Sequence, residues 1–299
     1  MHAMKRRTFL AQMTSGAMLP AAAEPAASKA LPTIRLGDKQ VTRLIAGGNP
    51  MAGFSHSTQR MTELMLRYFT VERTTEFLLH CEEEGINTWQ CSYQIVGRDA
   101  LRAARERGSK IQYICLTADR PNIKFQDVLD TKPIAIVHHG TDTDRLMRAG
   151  QAEKIHDYIK KVHDAGLPAG ISTHNPDYLA RIEDSGWGND FYMGCCYNLT
   201  RPAEEIRARM GDNLLGETYL ASDPAKMLAR VRQIRRPCLA FKILAAGRLC
   251  NNKASVENAF QFAYANIKPT DGAIVGMFPI ISDEVKEDAD LARKYARLA

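Results

Sequence analysis

Two short stretches of this chain place proton-carrying side chains among apolar residues. In the run 134–140, Ile-Ala-Ile-Val-His-His-Gly, two histidines end an apolar segment, and in the run 240–244, Ala-Phe-Lys-Ile-Leu, Lys242 is the one charged residue. Imidazole changes charge near neutral pH, which suits it to acid–base work. An ammonium removed from water costs several kcal/mol unless it is paired or neutral. Both stretches are therefore candidate catalytic positions.

The histidine pair supports two interpretations. His138 shares a strand face with Ile134 and Ile136, and the functional interpretation makes it a general acid or an oxyanion donor beside a carbonyl. The alternative is a hydrogen-bonded core histidine. His139 points to the opposite face, where it orients its neighbour or binds substrate.

Lys242 also supports two interpretations. A desolvated lysine with a lowered pKa acts as a base or forms a Schiff base with a carbonyl substrate. The alternative is an ion pair with a buried carboxylate such as Glu217. Arg248 follows in the same segment, where it either clamps a substrate carboxylate or phosphate or caps a helix.

His174 adds a third imidazole within the run 172–175, Ser-Thr-His-Asn. Histidines at the ends of adjacent strands can converge on a metal, so a His138/His174 metal site is one hypothesis. No acidic residue in either stretch completes a ligand set. The sequence therefore does not favour a metal.

The elements that position these residues alternate regularly between period-2 apolar runs and helical periodicity. After a hairpin around Gly37-Asp38, eight strands are predicted, at 43–47, 86–89, 111–116, 134–138, 169–172, 191–196, 239–244 and 273–276. Predicted helices cover 71–84, 153–165, 176–185, 224–234, 255–266 and 282–298, with Asn175, Asp223, Ser255 and Ser282 as N-terminal caps. Eight such units favour a (β/α)8 barrel over an open sheet.

The segment Asn49–Thr70, between the first barrel strand and its helix, is long for such a connection. Met61, Leu64, Met65 and Tyr68 lie on one helical face of it. The segment is either a lid over the mouth of the barrel or an extra helix packed on the barrel edge.

The order of these pieces resembles the aldo-keto reductase superfamily over roughly residues 33–295. The matching features are the N-terminal hairpin, Gly85-Ile86-Asn87, Val137-His138, Gly170-Ile171-Ser172, Tyr197-Asn198 and Ile274-Val275-Gly276. The resemblance implies a barrel that transfers hydride from NADPH and uses an aspartate, a tyrosine, a lysine and a histidine.

Most of the residues that the resemblance requires are replaced. His138 carries over directly, whereas Gln90 stands at the aspartate and Thr117 at the lysine, and Tyr93 lies two positions before the expected tyrosine. Uncharged partners cannot lower the pKa of a tyrosine. Of the cofactor contacts, Ser172 and Gly276 remain, and Asn198 stays as a substrate contact, while Thr173-His174, Gly194 and Met277-Phe278 replace the others. The resemblance thus implies weak NADP binding.

The first 30 residues are predicted to be an export signal. The chain has 299 residues and a formal charge of +6. A twin-arginine pair, Arg6-Arg7, precedes the apolar run 9–19 and the small residues 21–23, which indicates recognition by the twin-arginine export machinery and a periplasmic or otherwise exported protein. A disordered basic tail on a cytoplasmic protein is the alternative. Residues 31–299 are predicted to form one barrel domain.

The composition of the remaining residues excludes some partners. They hold 36 basic and 33 acidic residues without a basic cluster, which argues against nucleic acid and membrane surfaces as partners. The seven cysteines have no framework spacing, which argues against a disulfide scaffold.

Three functions follow as hypotheses. The first is an oxidoreductase of aldo-keto reductase type, acting on a carbonyl or hydroxyl carbon of a small polar, sugar-derived metabolite, with His138, Lys242, Tyr93 and Gln90 at its centre. The second is a non-redox lyase, aldolase or isomerase that uses Lys242 or a His138/His174 metal. The third is an exported solute-binding module without catalysis.

Overall fold

Eight parallel strands close into a barrel in the computed structural model, which describes residues 30–297. The strand order around the barrel follows the chain from β3 to β10, and β10 pairs with β3 to close it. The hairpin is β1 Thr33–Leu36 and β2 Lys39–Thr42, and the barrel strands are β3 Leu44–Gly47, β4 Thr88–Ser92, β5 Gln112–Thr117, β6 Ala135–His138, β7 Ala169–Thr173, β8 Phe191–Cys195, β9 Cys238–Phe241 and β10 Gly272–Gly276. The predicted (β/α)8 barrel with its hairpin is confirmed.

Helices follow the strands and form the outer layer of the fold. They are α1 Gln59–Tyr68, α2 Val71–Glu83, α3 Ile95–Glu106, α4 Phe125–Asp130, α5 Gly140–Arg148, α6 Glu153–Asp164, α7 Pro176–Ser185, α8 Ala203–Met210, α9 Asp223–Gln233, α10 Lys253–Asn266 and α11 Glu284–Tyr295.

One predicted helix cap is confirmed, and three lie elsewhere. The side chain of Asn175 accepts from the backbone of Asp177 at the start of α7. Asp223 was expected to cap α9, but its carboxylate pairs instead with the guanidinium of Arg201. The caps of α10 and α11 are Asn252 and Asp283, each a few residues before or after the predicted serine.

Two apolar cores lie on the two sides of the barrel wall. Side chains of one parity fill the barrel interior, among them Ile45, Ile114, Val137, Met193 and Ile274. Side chains of the other parity pack against the helices. Because successive strand residues face opposite sides, the parity of a residue decides whether it reaches the barrel interior or the helix layer.

The hairpin closes one end of the interior. Ile34, Leu36 and Val41 join the interior core, and the ring of Pro168, just before β7, meets the turn at Gly37. This is the end from which the strands start. The open mouth is therefore at the carboxyl ends of the strands, where barrels of this kind carry their sites.

The segment after β3 contains helix α1, which has no buried residue. Its last residue, Tyr68, packs edge-to-face on Phe278 and donates a hydrogen bond to the carbonyl of Pro279 (3.2 Å). Both partners lie in the loop after β10. The helix is thus attached to the barrel edge by its C-terminal end.

No helix within residues 30–297 is long and apolar enough to cross a membrane. The predicted twin-arginine signal, with Arg6-Arg7, lies outside the described residues.

The alternation of faces can be tested at Gly170 on β7. A Cβ at this position would lie 2.6 Å from the ring of Phe191 inside the barrel, so we expect Gly170→Ala to lower the free energy of unfolding by about 1–3 kcal/mol. The matched control is Gly194→Ala on the next strand, whose Cβ would meet flexible sulfur atoms at 3.3 and 3.4 Å and should change stability much less. Urea unfolding measures both, and equal midpoints would contradict the assignment.

Candidate active site at the mouth of the barrel

Lys242 follows the last residue of β9 and lies at the mouth. Its backbone is left-handed, with φ at 61°, and the nearby residues Ala245, Ala246 and His56 are left-handed as well. Such conformations cost about 1–3 kcal/mol for residues other than glycine, and they concentrate at functional sites. Four left-handed residues around the mouth indicate that the chain holds an unfavourable backbone geometry at this end of the barrel.

The ammonium of Lys242 has no carboxylate within salt-bridge distance among residues 30–297. Nζ makes a cation–π contact with the ring of Phe241, whose centroid lies 5.2 Å away. The side chain is half-buried. The positive charge lowers the pKa of both His174 and Glu217, so the three groups interact across the mouth.

His174 and Asp144 form a buried hydrogen-bonded pair beside Lys242. Nδ1 of His174 lies 2.7 Å from a carboxylate oxygen of Asp144, and Thr173 donates to the other oxygen at 2.5 Å. Burial lowers the pKa of His174, and Lys242 lowers it further, while Asp144 opposes both. The imidazole is therefore neutral at pH 7. With its proton on Nδ1, Nε2 is free to accept one.

A second network holds the carboxylate of Glu217. It is bonded to Nδ1 of His56 at 2.8 Å and receives the hydroxyl of Tyr219 at 2.9 Å. Burial alone would raise the pKa of Glu217, but the bonds from His56 and Tyr219 and the charge of Lys242 outweigh it and lower the pKa to about 2. Nε2 of His56 lies 3.1 Å from the amide of Asn49.

Arg248 completes this network at the rim. Its guanidinium stacks over the ring of Tyr219 at 3.9 Å and donates to the backbone oxygens of His56 (3.0 Å) and Ala245 (3.2 Å). Three loops, those after β3, β8 and β9, therefore meet through Arg248 and Glu217. The predicted substrate clamp at Arg248 lies at the mouth, beside Lys242 along the chain.

Polar side chains line the floor of the mouth. Gln90 on β4 and Ser172 on β7 have the parity of the interior, are more than nine-tenths buried, and make no side-chain hydrogen bond to another described residue. Cys195 ends β8 and is fully buried, which raises the pKa of its thiol to about 11. Gln90 and Ser172 are thus free to bind a polar ligand.

His138 lies on the other side of the barrel wall. Its ring packs edge-on against Tyr158 of α6, and Nδ1 lies 2.7 Å from the hydroxyl of Thr143 on α5. Burial lowers its pKa to about 4. The structure therefore does not bring His138 together with Lys242.

His139 has the parity of the interior and caps α5, where Nδ1 accepts from the backbone of Thr141 at 3.3 Å. Burial and the charge of Arg120 lower its pKa to about 4, and His174 is close enough to add to this effect. Of the two histidines in the pair, His139 is the one near the mouth.

Two other predicted site residues, Tyr93 and Asn198, make contacts that stabilise the local structure. Tyr93 is half-buried against the outer core, and its backbone donates to the carbonyl of Leu116. The side chain of Asn198 accepts from the backbone and the hydroxyl of Thr200, which fixes a turn after β8. Within residues 30–297, no hydrogen bond joins either side chain to Lys242 or His174.

The sequence reasoning missed Asp144, His56 and Tyr219. Asp144 lies in a helix and carries no local signal. His56 and Tyr219 are 163 positions apart in the sequence, and only the folded chain brings them together through Glu217. The unusual length of the loop after β3, which contains His56, was the sequence feature that pointed to this part of the site.

The loop after β10, where the resemblance implies NADP contacts, packs against the segment after β3. Gly276, the predicted contact, is exposed and lies beside the ring of Pro50, and the aromatic rings of Tyr68 and Phe69 pack on Phe278. The backbone amide of Phe278 is occupied by the carboxylate of Glu284. Residues 277–285 contain no lysine or arginine to bind a phosphate.

No three histidine, cysteine, aspartate or glutamate side chains within residues 30–297 are arranged to hold a metal ion. His138 and His174 lie on different sides of the barrel wall, and each uses Nδ1 for its own protein partner. The donor set proposed from the sequence is thus not assembled.

Fold and site define a (β/α)8 barrel with a charged, strained cluster at its mouth. No family model and no curated protein matches the chain. It is similar to a glycerol dehydrogenase from Gluconobacter oxydans (13% identity, 90% of this chain and 97% of that chain, TM-score 0.47). It is also similar to a truncated 3-deoxy-D-arabino-heptulosonate 7-phosphate synthase from Thermotoga maritima (14% identity, 89% and 90%, TM-score 0.49). At these identities and TM-scores the similarities do not assign an activity to the chain, and membership of the aldo-keto reductase superfamily stays a prediction.

The electrostatic coupling at the mouth predicts opposite effects of two substitutions on the pKa of His174. Lys242→Met removes a positive charge and should raise this pKa, whereas Asp144→Asn removes the carboxylate that supports the imidazolium and should lower it. Proton NMR titration of the imidazole measures both. Lys154→Met, on the outer face of α6, should leave the titration unchanged. An unaltered His174 titration in Lys242→Met would contradict the arrangement.

Proposed function

We propose that the chain is an enzyme that moves protons at the carbon next to a carbonyl or hydroxyl group of a small polar metabolite, as a lyase, aldolase or isomerase. The observation that carries this proposal is the ammonium of Lys242, which has no ion-pair partner among residues 30–297 and whose charge acts on both His174 and Glu217. Unpaired, partly buried charges are expensive and mark sites that act on a ligand.

Each group has a role that its surroundings support. Asp144 holds the ring of His174, whose Nε2 takes a proton from the substrate carbon or hydroxyl. Lys242 donates to the oxygen on which negative charge develops, so that the enolate or alkoxide is stabilised as it forms. Gln90 and Ser172 on the floor bind the polar body of the substrate.

Lys242 supports a covalent variant of the same chemistry. Its neutral amine would attack a ketone or aldehyde carbon, water would leave, and the resulting imine would draw electrons from the neighbouring carbon. Proton removal by His174 then gives an enamine. Both variants use Lys242 at the carbonyl group and His174 at the neighbouring carbon.

Hydrogen–deuterium exchange tests the proton transfer before the natural substrate is known. Dihydroxyacetone, fructose and pyruvate are incubated with the protein in D2O, and NMR follows loss of the proton signal next to the carbonyl. We expect exchange with at least one probe and a loss of more than about 100-fold in Lys242→Met, since one donor to a developing oxyanion contributes roughly 10²–10³. Lys226→Met, an exposed lysine on α9, is the matched control.

Further measurements separate the remaining functions. Borohydride trapping with the active probe labels Lys242 if the imine forms and leaves it unlabelled if the ammonium acts only by charge. Denaturing mass spectrometry of freshly purified protein that releases NADP, together with carbonyl reduction and no exchange, would replace the proposal by the oxidoreductase. Ligand-induced stabilisation without exchange or turnover would indicate a solute-binding module.

A further inference from the structure

A cavity opens on the flank of the barrel, outside its wall, and Lys242 does not line it. It has a volume of about 310 Å³ and lies between the loop after β5 and helices α5 and α6. We call it the flank cavity, and its polar lining is His138, Asp119, Asp142, Arg145, Lys154 and Asp157.

The buried imidazole of His138 presents a donor to this cavity. The hydroxyl of Thr143 has no acceptor other than Nδ1 of His138 among residues 30–297, so it donates to Nδ1 and leaves the ring proton on Nε2. Nε2 has no hydrogen-bond partner among residues 30–297. It is accessible from the flank cavity, which the ring of His138 lines. His138 is 3% exposed. An N–H group is therefore held at the cavity wall without an acceptor.

Most of the charges around the cavity are neutralised by each other. Asp119 pairs with Lys161 at 2.5 Å, and Asp142 accepts from Arg120 at 2.7 Å and from Arg145 at 3.2 Å. These two carboxylates and three cations leave one net positive charge, which favours a ligand that presents a carboxylate.

Two opposite charges on α6 remain without an ion-pair partner among the described residues. The ammonium of Lys154 is bonded to the neutral amide oxygen of Gln151 at 3.0 Å, and Asp157 has no hydrogen bond or salt bridge. Residues three apart share one face of a helix and lie about 5–6 Å apart at Cβ. The cavity thus offers one cation and one anion, both solvent-exposed, on the same face of α6.

We propose that the flank cavity binds a free α-amino acid, with its carboxylate on Lys154 and Nε2 of His138 and its ammonium on Asp157. Leu146, in the same wall, contacts the amino-acid side chain. A simple anion or cation would satisfy one of the two unpaired charges and leave the other. The site is separate from the mouth, and the proposal does not rest on the proposed catalytic function.

The binding experiment uses the full chain and the twenty common amino acids, screened by thermal unfolding. A ligand that binds the folded state raises the midpoint in a concentration-dependent way. Calorimetry then compares the best amino acid with its N-acetyl and its amide derivatives, each of which lacks one charge. We expect each derivative to bind at least tenfold more weakly than the amino acid.

Variants locate the site. Lys154→Ala and Asp157→Ala should each weaken binding at least tenfold, whereas Lys160→Ala, an exposed lysine on the same helix, should not change it. The imidazole signal of His138 should shift when the amino acid is added, and Lys242→Met should still bind. Absence of any stabilising amino acid, equal binding of the one-charge derivatives, or unchanged binding in Lys154→Ala and Asp157→Ala would each overturn the proposal.

Discussion

Closure of the barrel imposes a strict division on every strand, because successive side chains face the interior and the helix layer in turn. The interior is filled by a small apolar set, including Ile114, Val137 and Met193. Polar groups cannot be placed in that set without loss of packing, so they collect where the strands end. The position of each polar group on a strand therefore follows from parity and from the distance to the strand end.

This constraint explains what the sequence could and could not predict. Apolar runs and capping residues located all eight strands within a few residues, because strand periodicity and helix ends are local properties. When both faces of a strand are buried, the local sequence does not show which face points into the barrel. Ile136 and Val137 are equally apolar, and nothing in the run 134–140 distinguishes inside from outside. His138 was therefore placed at the mouth by resemblance, while parity places His139 nearer to it.

The mouth network shows a second reason for incomplete prediction. Glu217 was named as a partner for Lys242, and it is close, but its oxygens are taken by His56 and Tyr219. His56 and Tyr219 lie in loops that are far apart in the sequence. Loop–loop contacts depend on how the barrel spaces its strand ends, which requires the complete fold.

The network also keeps Lys242 unneutralised. A flexible carboxylate near an ammonium would normally pair with it and cancel its field. Here the bonds of Glu217 to His56 and Tyr219, and those of Asp144 to Thr173 and His174, fix both neighbouring carboxylates elsewhere. The positive potential at the mouth is therefore available to a substrate oxygen. The left-handed backbone at Lys242 and His56 is the local cost of this arrangement.

Helix α5 contacts both the mouth of the barrel and the flank cavity. Its consecutive residues Thr143 and Asp144 hold two different histidines, since Thr143 bonds His138 at the flank cavity and Asp144 bonds His174 at the mouth. Side chains that are adjacent on a helix move together when the helix rotates or shifts. A displacement of α5 that lengthened one of these hydrogen bonds would alter the other. The orientation of the candidate base at the mouth thus depends on the same helix that forms a wall of the flank cavity.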